Sequence, residues 1–411
     1  MKSMKLASGV NLHVLRETKF KTIRLQVRFR NKFAKDDVAA RVLLSNLMEE
    51  ANQEFPTNQA LSEHLAGLYG AGFSSDVAKK GAEHLIVLGM SLVNPELVGM
   101  NTLSEAVNFL HTVVFRPLWS PEIFEIEKTN LTHYLESLSD DNNYVATKRL
   151  LTLFYGDFTP AEGLPELVEK VSLSDVEQTY EKMIASDLVD IFVLGNVDET
   201  EVASLFETWS WSDRENDVEI FRKHQKAPLS VLTETKKAYQ SVLQLAWHLP
   251  VVYGDRDYVA LQVMNGVFGA LPHSLLFKIA REQESLAYSI GSSFDSWSAL
   301  FRVSAGVDAE NAATAKQLIL ELLQRVIDGE FDDAAISDTK KMLTTSVLMS
   351  KDNPSALMEQ AFARVLAPER YLDEANFLAQ LDAVTKADIQ AVARKLTLQV
   401  VYELEGRPDE N

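Results

Sequence analysis

The sequence predicts an α+β protein of two duplicated halves, each an antiparallel sheet with a group of helices, together enclosing a cleft. Three observations carry that expectation. An alternating strand pattern near the start returns near residue 241. A helical stripe at Leu103, Ala106, Val107, Leu110 and Val114 recurs 212 residues later at Ala315, Leu318, Ile319, Leu322 and Val326. Within each half, strands precede a run of helices and a closing strand, an order that makes α+β domains rather than a doubly wound sheet.

The first strand is Thr22–Arg30, TIRLQVRFR. Ile23, Leu25, Val27 and Phe29 alternate with Arg24, Gln26, Arg28 and Arg30, which predicts one buried and one wet face. Its repeat, SVLQLAWHL from Ser241, carries Leu243, Leu245, Trp247 and Leu249 as the apolar set. Charged turns follow both, at Lys35-Asp36-Asp37 and Gly254-Asp255-Arg256-Asp257, and a helical run follows each turn. The glycine-rich stretch Gly67–Gly72 is not G-x-G-x-x-G and reads as a turn from helix to strand. His84–Val93 is a buried strand, too short to cross a bilayer.

Ile123 and Lys128 recur as Ile336 and Lys341, and VSLSDVEQTY at 171–180 recurs as VTKADIQAVA at 384–393. Ser174-Asp175 and Lys386-Asp388 begin helices behind capping residues. Each half closes on an apolar strand, Asp190–Val197 and Gln399–Leu404, while Trp211–Thr235 is charged and less periodic. The halves are therefore placed at 1–212 and 236–411, with 213–235 as the linker. Trp209 and Trp211 read as core or linker packing.

In the second half, Leu275–Phe294 starts as a helix and changes to period two at Ser285. That puts Arg281 and Tyr288 on either side of a helix-to-strand junction, where a cation and a phenol can both point at a peptide carbonyl. On spacing alone the favoured reading is a solvated helix residue for Arg281 and a half-buried strand residue for Tyr288.

Composition narrows the functions. With 46% hydrophobic and 24% charged residues the chain is an ordinary globular protein. A net charge of −19, with no Lys/Arg cluster longer than a pair, speaks against nucleic acid as a partner. The chain has no cysteine, which excludes disulfides and thiolate chemistry and fits a reducing compartment. With no continuous apolar segment at the start, no membrane association is expected and a cytoplasmic location is.

Two α+β halves of this size, with LFKIAREQESLAYSIGSSF in the second, resemble the pitrilysin/insulinase family of zinc metallopeptidases over essentially the whole chain. That family carries H-x-x-E-H on the first long helix of its first half, two His sharing the metal and the Glu activating its bound water. Here the helix is Asp37–Asn52. Aligned on the preceding strand and the Phe55-Pro56-Thr57 turn, the motif positions fall on Val42, Ser45 and Asn46, none of them a zinc ligand. Neither H-x-x-E-H nor H-E-x-x-H occurs anywhere. The pairs Glu63-His64 and Glu83-His84 read as a helix-surface and a strand-end His, and Glu49-Glu50 as a solvated helix end. Glu122, Glu125 and Glu127, on the helix where the family places its third ligand, read as surface residues. The chain is expected to bind no zinc or other cofactor of its own.

The second-half motif is met. R-x6-Y ahead of an L-A-Y-S segment is satisfied by Arg281, Leu286, Ala287, Tyr288 and Ser289, with Glu284 and Ser285 where a basic residue and Gly are more usual. The resemblance implies that Arg281 and Tyr288, with Ser289 beside them, contact substrate and help hold the carbonyl oxygen as it becomes an oxyanion. The family includes two-chain enzymes in which one subunit carries zinc and the other only this pair. GVNLHVLRETKFKTIRLQVRF is similar to the opening of a metal-free subfamily in Firmicutes-type bacteria, associated with the 5-aminopentanol modification of elongation factor P. The resemblance thus implies a non-autonomous, substrate-binding subunit of a heterodimeric zinc peptidase. Zinc belongs to a family paralogue as partner, and the substrate is a peptide or unfolded polypeptide. A homodimer is open to the isolated chain, and a proteolysis-independent scaffold is the alternative function.

Overall fold

The computed structural model describes residues 1–215 and 219–407. The alternation at Thr22–Lys32 becomes an inner strand of a six-stranded sheet. Its strands are β1 (Lys2–Ala7), β2 (Val10–Arg16), β3 (Thr22–Lys32), β4 (Gly72–Lys80), β5 (Glu83–Val93) and β6 (Leu188–Gly195). They lie in the order β1-β2-β6-β3-β5-β4, antiparallel throughout except for the parallel pair β2–β6. Ile23, Leu25, Val27 and Phe29 are 0% exposed. Each such side chain contributes roughly 1.5–3 kcal/mol through burial. The helices Lys35–Glu50 and Thr102–Phe115 pack on β5, the first also on β4, and the whole stripe from Leu103 to Val114 is buried.

The second sheet comprises β7 (Ser230–Lys236), β8 (Ser241–His248), β9 (Ser289–Asp295), β10 (Leu300–Val307) and β11 (Thr397–Gly406). Its order, β7-β11-β8-β10-β9, repeats β2-β6-β3-β5-β4 strand for strand, and the parallel pair, β7–β11, falls at the same place. The duplication is therefore present in topology as well as in sequence. The equivalent C-terminal helices both open on a capping box, Ser172 with Asp175 and Thr385 with Asp388.

Two units separate by their internal contacts: residues 1–137 with 159–220, and 138–158 with 221–411. β7 begins at Ser230, inside the span read as linker. Residues 216–218 of that span, and 408–411 at the end of the second half, lie outside the described residues. The helix Asn142–Tyr155 belongs to the second unit, where Ala146, Leu150 and Phe154 cluster with Val242, Ala246, Val400 and Tyr402. This corrects the reading of β8 as half apolar: with a helix on its second face, every residue from Ser241 to His248 is buried.

The wet face expected on β3 is also corrected. Arg28 is 3% exposed, and the Arg30 side chain 11%. Arg30 is held by carboxylates from two neighbouring strands, its Nε 2.7 Å from Asp190 and its Nη1 2.7 Å from Glu83. Among the described residues no helix is long and apolar enough to cross a membrane.

Candidate functional site

The segment carrying Arg281 and Tyr288 is built on an unusual helix end. Leu276–Gln283 is wound with π-helical turns, burying Leu276 and Ala280 and leaving Arg281 exposed. Such wide turns often mark functional positions. The helix closes through Glu284 N–H to the Ile279 carbonyl and Leu286 N–H to the Ala280 carbonyl, both 2.9 Å. Between them Ser285 has φ +52°, in the left-handed region. The strand therefore begins at Ser289, four residues later than the period-two pattern suggested, because a left-handed residue cannot continue a pleat. Tyr69, at φ 57°, marks the matching turn of the first half.

Glycine is the residue such a conformation favours, since a side chain there costs roughly 1–2 kcal/mol. Ser285→Gly is accordingly expected to raise stability by about 0.5–1 kcal/mol once the backbone freedom of Gly is counted. Urea unfolding midpoints check this, and a lower midpoint would refute it.

Beyond the turn, Ala287 is buried and Tyr288 N–H donates to the Gly306 carbonyl of β10 at 2.9 Å. The Tyr288 side chain is 56% exposed, and its hydroxyl donates to the Asp308 carboxylate at 2.9 and 3.1 Å. The hydrogen bond to Asp308 and the charge of that carboxylate raise the phenol above its ordinary pKa, so it keeps its proton through neutral pH. Ser289 is exposed at the start of β9, the outer strand of its sheet. The Arg281 guanidinium lies 4.7 Å from the centre of the Phe277 ring. The structure thus displays Arg281, Tyr288 and Ser289 in one exposed segment, with the two donors resting on different partners. Neither Asp308 nor Phe277 was singled out in the sequence; Asp308 reaches Tyr288 only through the pairing of β9 with β10.

The first-half motif positions are closed. Val42 is 4% exposed, and the Ser45 hydroxyl lies 2.8 Å from that of Ser75, both buried. The Asn46 amide donates to one oxygen of Glu127 at 3.3 Å, and the Asn130 amide donates to the other at 3.1 Å. Glu127 is therefore not the surface residue expected. It is half-buried and turned to a motif position, and burial raises its pKa. Glu49 is likewise half-buried rather than solvated, accepting from Ser75 N–H at 3.3 Å, its pKa raised by burial. Zinc does not fit this donor set: a hydroxyl and a carboxamide replace the base and a ligand, and amides already occupy the remaining carboxylate. Among the described residues no group of three or more His, Asp and Glu could hold a metal.

The two Glu-His pairs have separate structural roles. His64 lies between Phe55 and Phe109, at ring distances of 4.4 and 5.5 Å. His84 accepts from Arg41 Nε at its Nδ1 (3.0 Å) and donates from Nε2 to the Ala161 carbonyl (2.9 Å). Burial, reinforced by Arg41, lowers the pKa of His84 from 6.5 to about 4. An unfolded chain then takes up the proton first as pH falls, so this stabilisation is complete above the unfolded value and is lost between pH 6.5 and about 4. The loss is on the order of 3 kcal/mol. Unfolding of wild type and His84→Asn compared across that window is expected to show a steeper acid-side decline in wild type; parallel curves would contradict the assignment.

Comparison with known proteins agrees with this geometry. The family description "Peptidase M16 inactive domain" matches residues 170–343. The chain is 28% identical over 410 residues to the "Probable inactive metalloprotease YmfF" of Bacillus subtilis (strain 168), covering 97% of this chain and 96% of that one. A crystal structure of a conserved protein from Enterococcus faecalis V583 shares 36% identity and superposes with a TM-score of 0.94, covering 100% of this chain and 99% of the other. The peptidase M16 inactive domain from Pseudomonas fluorescens, 16% identical, has the same fold at a TM-score of 0.85, covering 100% and 99%. The fold and the emptied motif together define a metallopeptidase scaffold without its metal site. By its fold and by the domain matched at 170–343 the chain is of the peptidase M16 type, in line with the pitrilysin/insulinase resemblance seen in the sequence.

Proposed function

We propose that this chain is the non-catalytic, substrate-binding subunit of a heterodimeric, cytoplasmic zinc metallopeptidase. A zinc-bearing family paralogue supplies the metal, and this chain supplies Arg281 and Tyr288. The observation that carries the proposal is an asymmetry between the halves. Of the metal-motif positions, Val42 is buried and Ser45 and Asn46 are turned to internal hydrogen-bond partners, whereas Arg281, Tyr288 and Ser289 stand exposed on one segment. A guanidinium and a protonated phenol can both donate to a peptide carbonyl oxygen as it gains negative charge. β9, the outer strand of its sheet among the described residues, lies beside them, and an outer strand can take an extended peptide by backbone pairing.

Metal analysis and co-purification test the partnership. The purified chain is expected to hold no stoichiometric zinc and to form a stable complex with the paralogue. Stoichiometric zinc on the isolated chain, or no complex with any H-x-x-E-H paralogue of the same cell, would refute it.

A further inference from the structure

The polar face of the first sheet holds a second arrangement of side chains able to do chemistry. β1 is an outer strand, and its register sets Ser3 opposite His13 of β2. The parallel pairing of β2 with β6 brings His13 beside Phe192, and Asn11 beside Asp190. Ser3 Oγ lies 2.8 Å from His13 Nδ1, and His13 Nε2 lies 3.1 Å from Asp190 Oδ1. Ser3 is exposed, whereas His13 is 4% and Asp190 0% exposed. The imidazole stacks on Phe192 at 4.8 Å between ring centres, and Arg30 fixes Asp190 from the opposite side at 2.7 Å.

Proton positions follow from the partners. Asp190 accepts from Arg30 and is ionised, so it has no proton to offer the ring. Nε2 must then carry the imidazole proton and donate it to Asp190. In the neutral ring Nδ1 then keeps its lone pair, and the Ser3 hydroxyl donates to it. A nucleophile, a base and a buried carboxylate stand in hydrogen-bonded series, with only the nucleophile exposed.

We infer that Ser3, His13 and Asp190 constitute an acyl-transfer site of the serine type, acting on carboxylic esters whose carbonyl is open to approach. Ser3 Oγ attacks the ester carbonyl carbon as its proton passes to His13 Nδ1. The tetrahedral adduct collapses by breaking the bond to the alkoxide, which leaves with the proton from Nδ1, and the acyl group stays on Ser3. Water then attacks the acyl carbon, its proton passing through His13 to the Ser3 oxygen as the carboxylic acid departs. Asp190 stays ionised, holding the tautomer and stabilising the imidazolium, the part a triad carboxylate plays. The two ring nitrogens have exchanged places relative to the Ser-His-Asp template, which leaves the proton balance unchanged. An outer strand leaves alternate backbone N–H groups unpaired, and these are the donors available to the oxyanion.

The test uses the full-length chain, treated with chelator so that no metallopeptidase contributes. With p-nitrophenyl acetate, a burst of nitrophenolate equal to the chain concentration is expected, and a fluorophosphonate probe should map to Ser3 by peptide mass analysis. Ser3→Ala removes both signals. His13→Gln, which keeps an amide donor toward Asp190, lowers the acylation rate by about 10²–10⁴-fold. Ser3 sits exposed on an outer strand, so the Ala variant is expected to fold, and circular dichroism checks that. Labelling no faster than that of the urea-unfolded chain, labelling spread over several residues, or a signal unchanged in Ser3→Ala would each overturn the site.

Discussion

Replacing Arg30 by Met is expected to lower the unfolding free energy of the first unit by about 3–5 kcal/mol, the usual cost of removing one partner from a buried ionic network. Glu83 and Asp190 are both 0% exposed, and each receives a 2.7 Å contact from the Arg30 guanidinium. Burial already raises the pKa of Glu83, and Glu83 Oε2 has no hydrogen-bond partner. Without the cation, His13 and Asn11 still donate to Asp190, so Glu83 is the carboxylate that must take a proton to stay in the interior. The folded pKa of Glu83, already raised by burial, then rises further. The deficit is therefore largest at neutral pH and shrinks as pH falls. Glu83→Gln in the Arg30→Met background should recover part of the loss, as coupled neighbours do. Urea titrations of wild type and the two variants measure this; an Arg30→Met midpoint equal to wild type would show the network to be energetically idle.

The second large effect belongs to the proposed function. In the complex with the zinc-bearing paralogue, Arg281→Ala and Tyr288→Phe are each expected to lower kcat by about 10²–10³-fold, the cost of removing a donor to a developing oxyanion. KM should change little, because the interaction strengthens only as charge develops. The double variant should fall short of the product of the two if both donors serve one oxygen. Assembly and folding should survive, since both side chains are exposed and the Phe change retains the ring. Full activity of the doubly substituted complex would remove the pair from the mechanism.

Much of the architecture was legible because it is written in local pattern. The 212-residue recurrence of the stripe from Leu103 to Val114 anticipated two duplicated halves, each with its own sheet, and the helix starts near 174 and 387 coincide with capping boxes. What escaped depends on partners distant in sequence. Alternation on β3 cannot reveal that Arg30 meets Asp190 and Glu83, because those carboxylates arrive from β6 and β5. Nor can it show that the helix Asn142–Tyr155 dries the second face of β8. At the site, R-x6-Y found the exposed segment, while the left-handed Ser285 was misread as strand because side-chain period carries no φ. Glu127 was indistinguishable from Glu122 and Glu125 until the helix Pro121–Ser137 was oriented against Asn46.

The most direct test of the central claim is peptide hydrolysis by the zinc-bearing paralogue, measured with and without this chain. This chain alone should show no metal-dependent peptide hydrolysis and the paralogue alone little, while the pair should show chelator-sensitive hydrolysis that saturates at one chain per paralogue. Full activity of the paralogue by itself, unchanged when this chain is added, would contradict that claim.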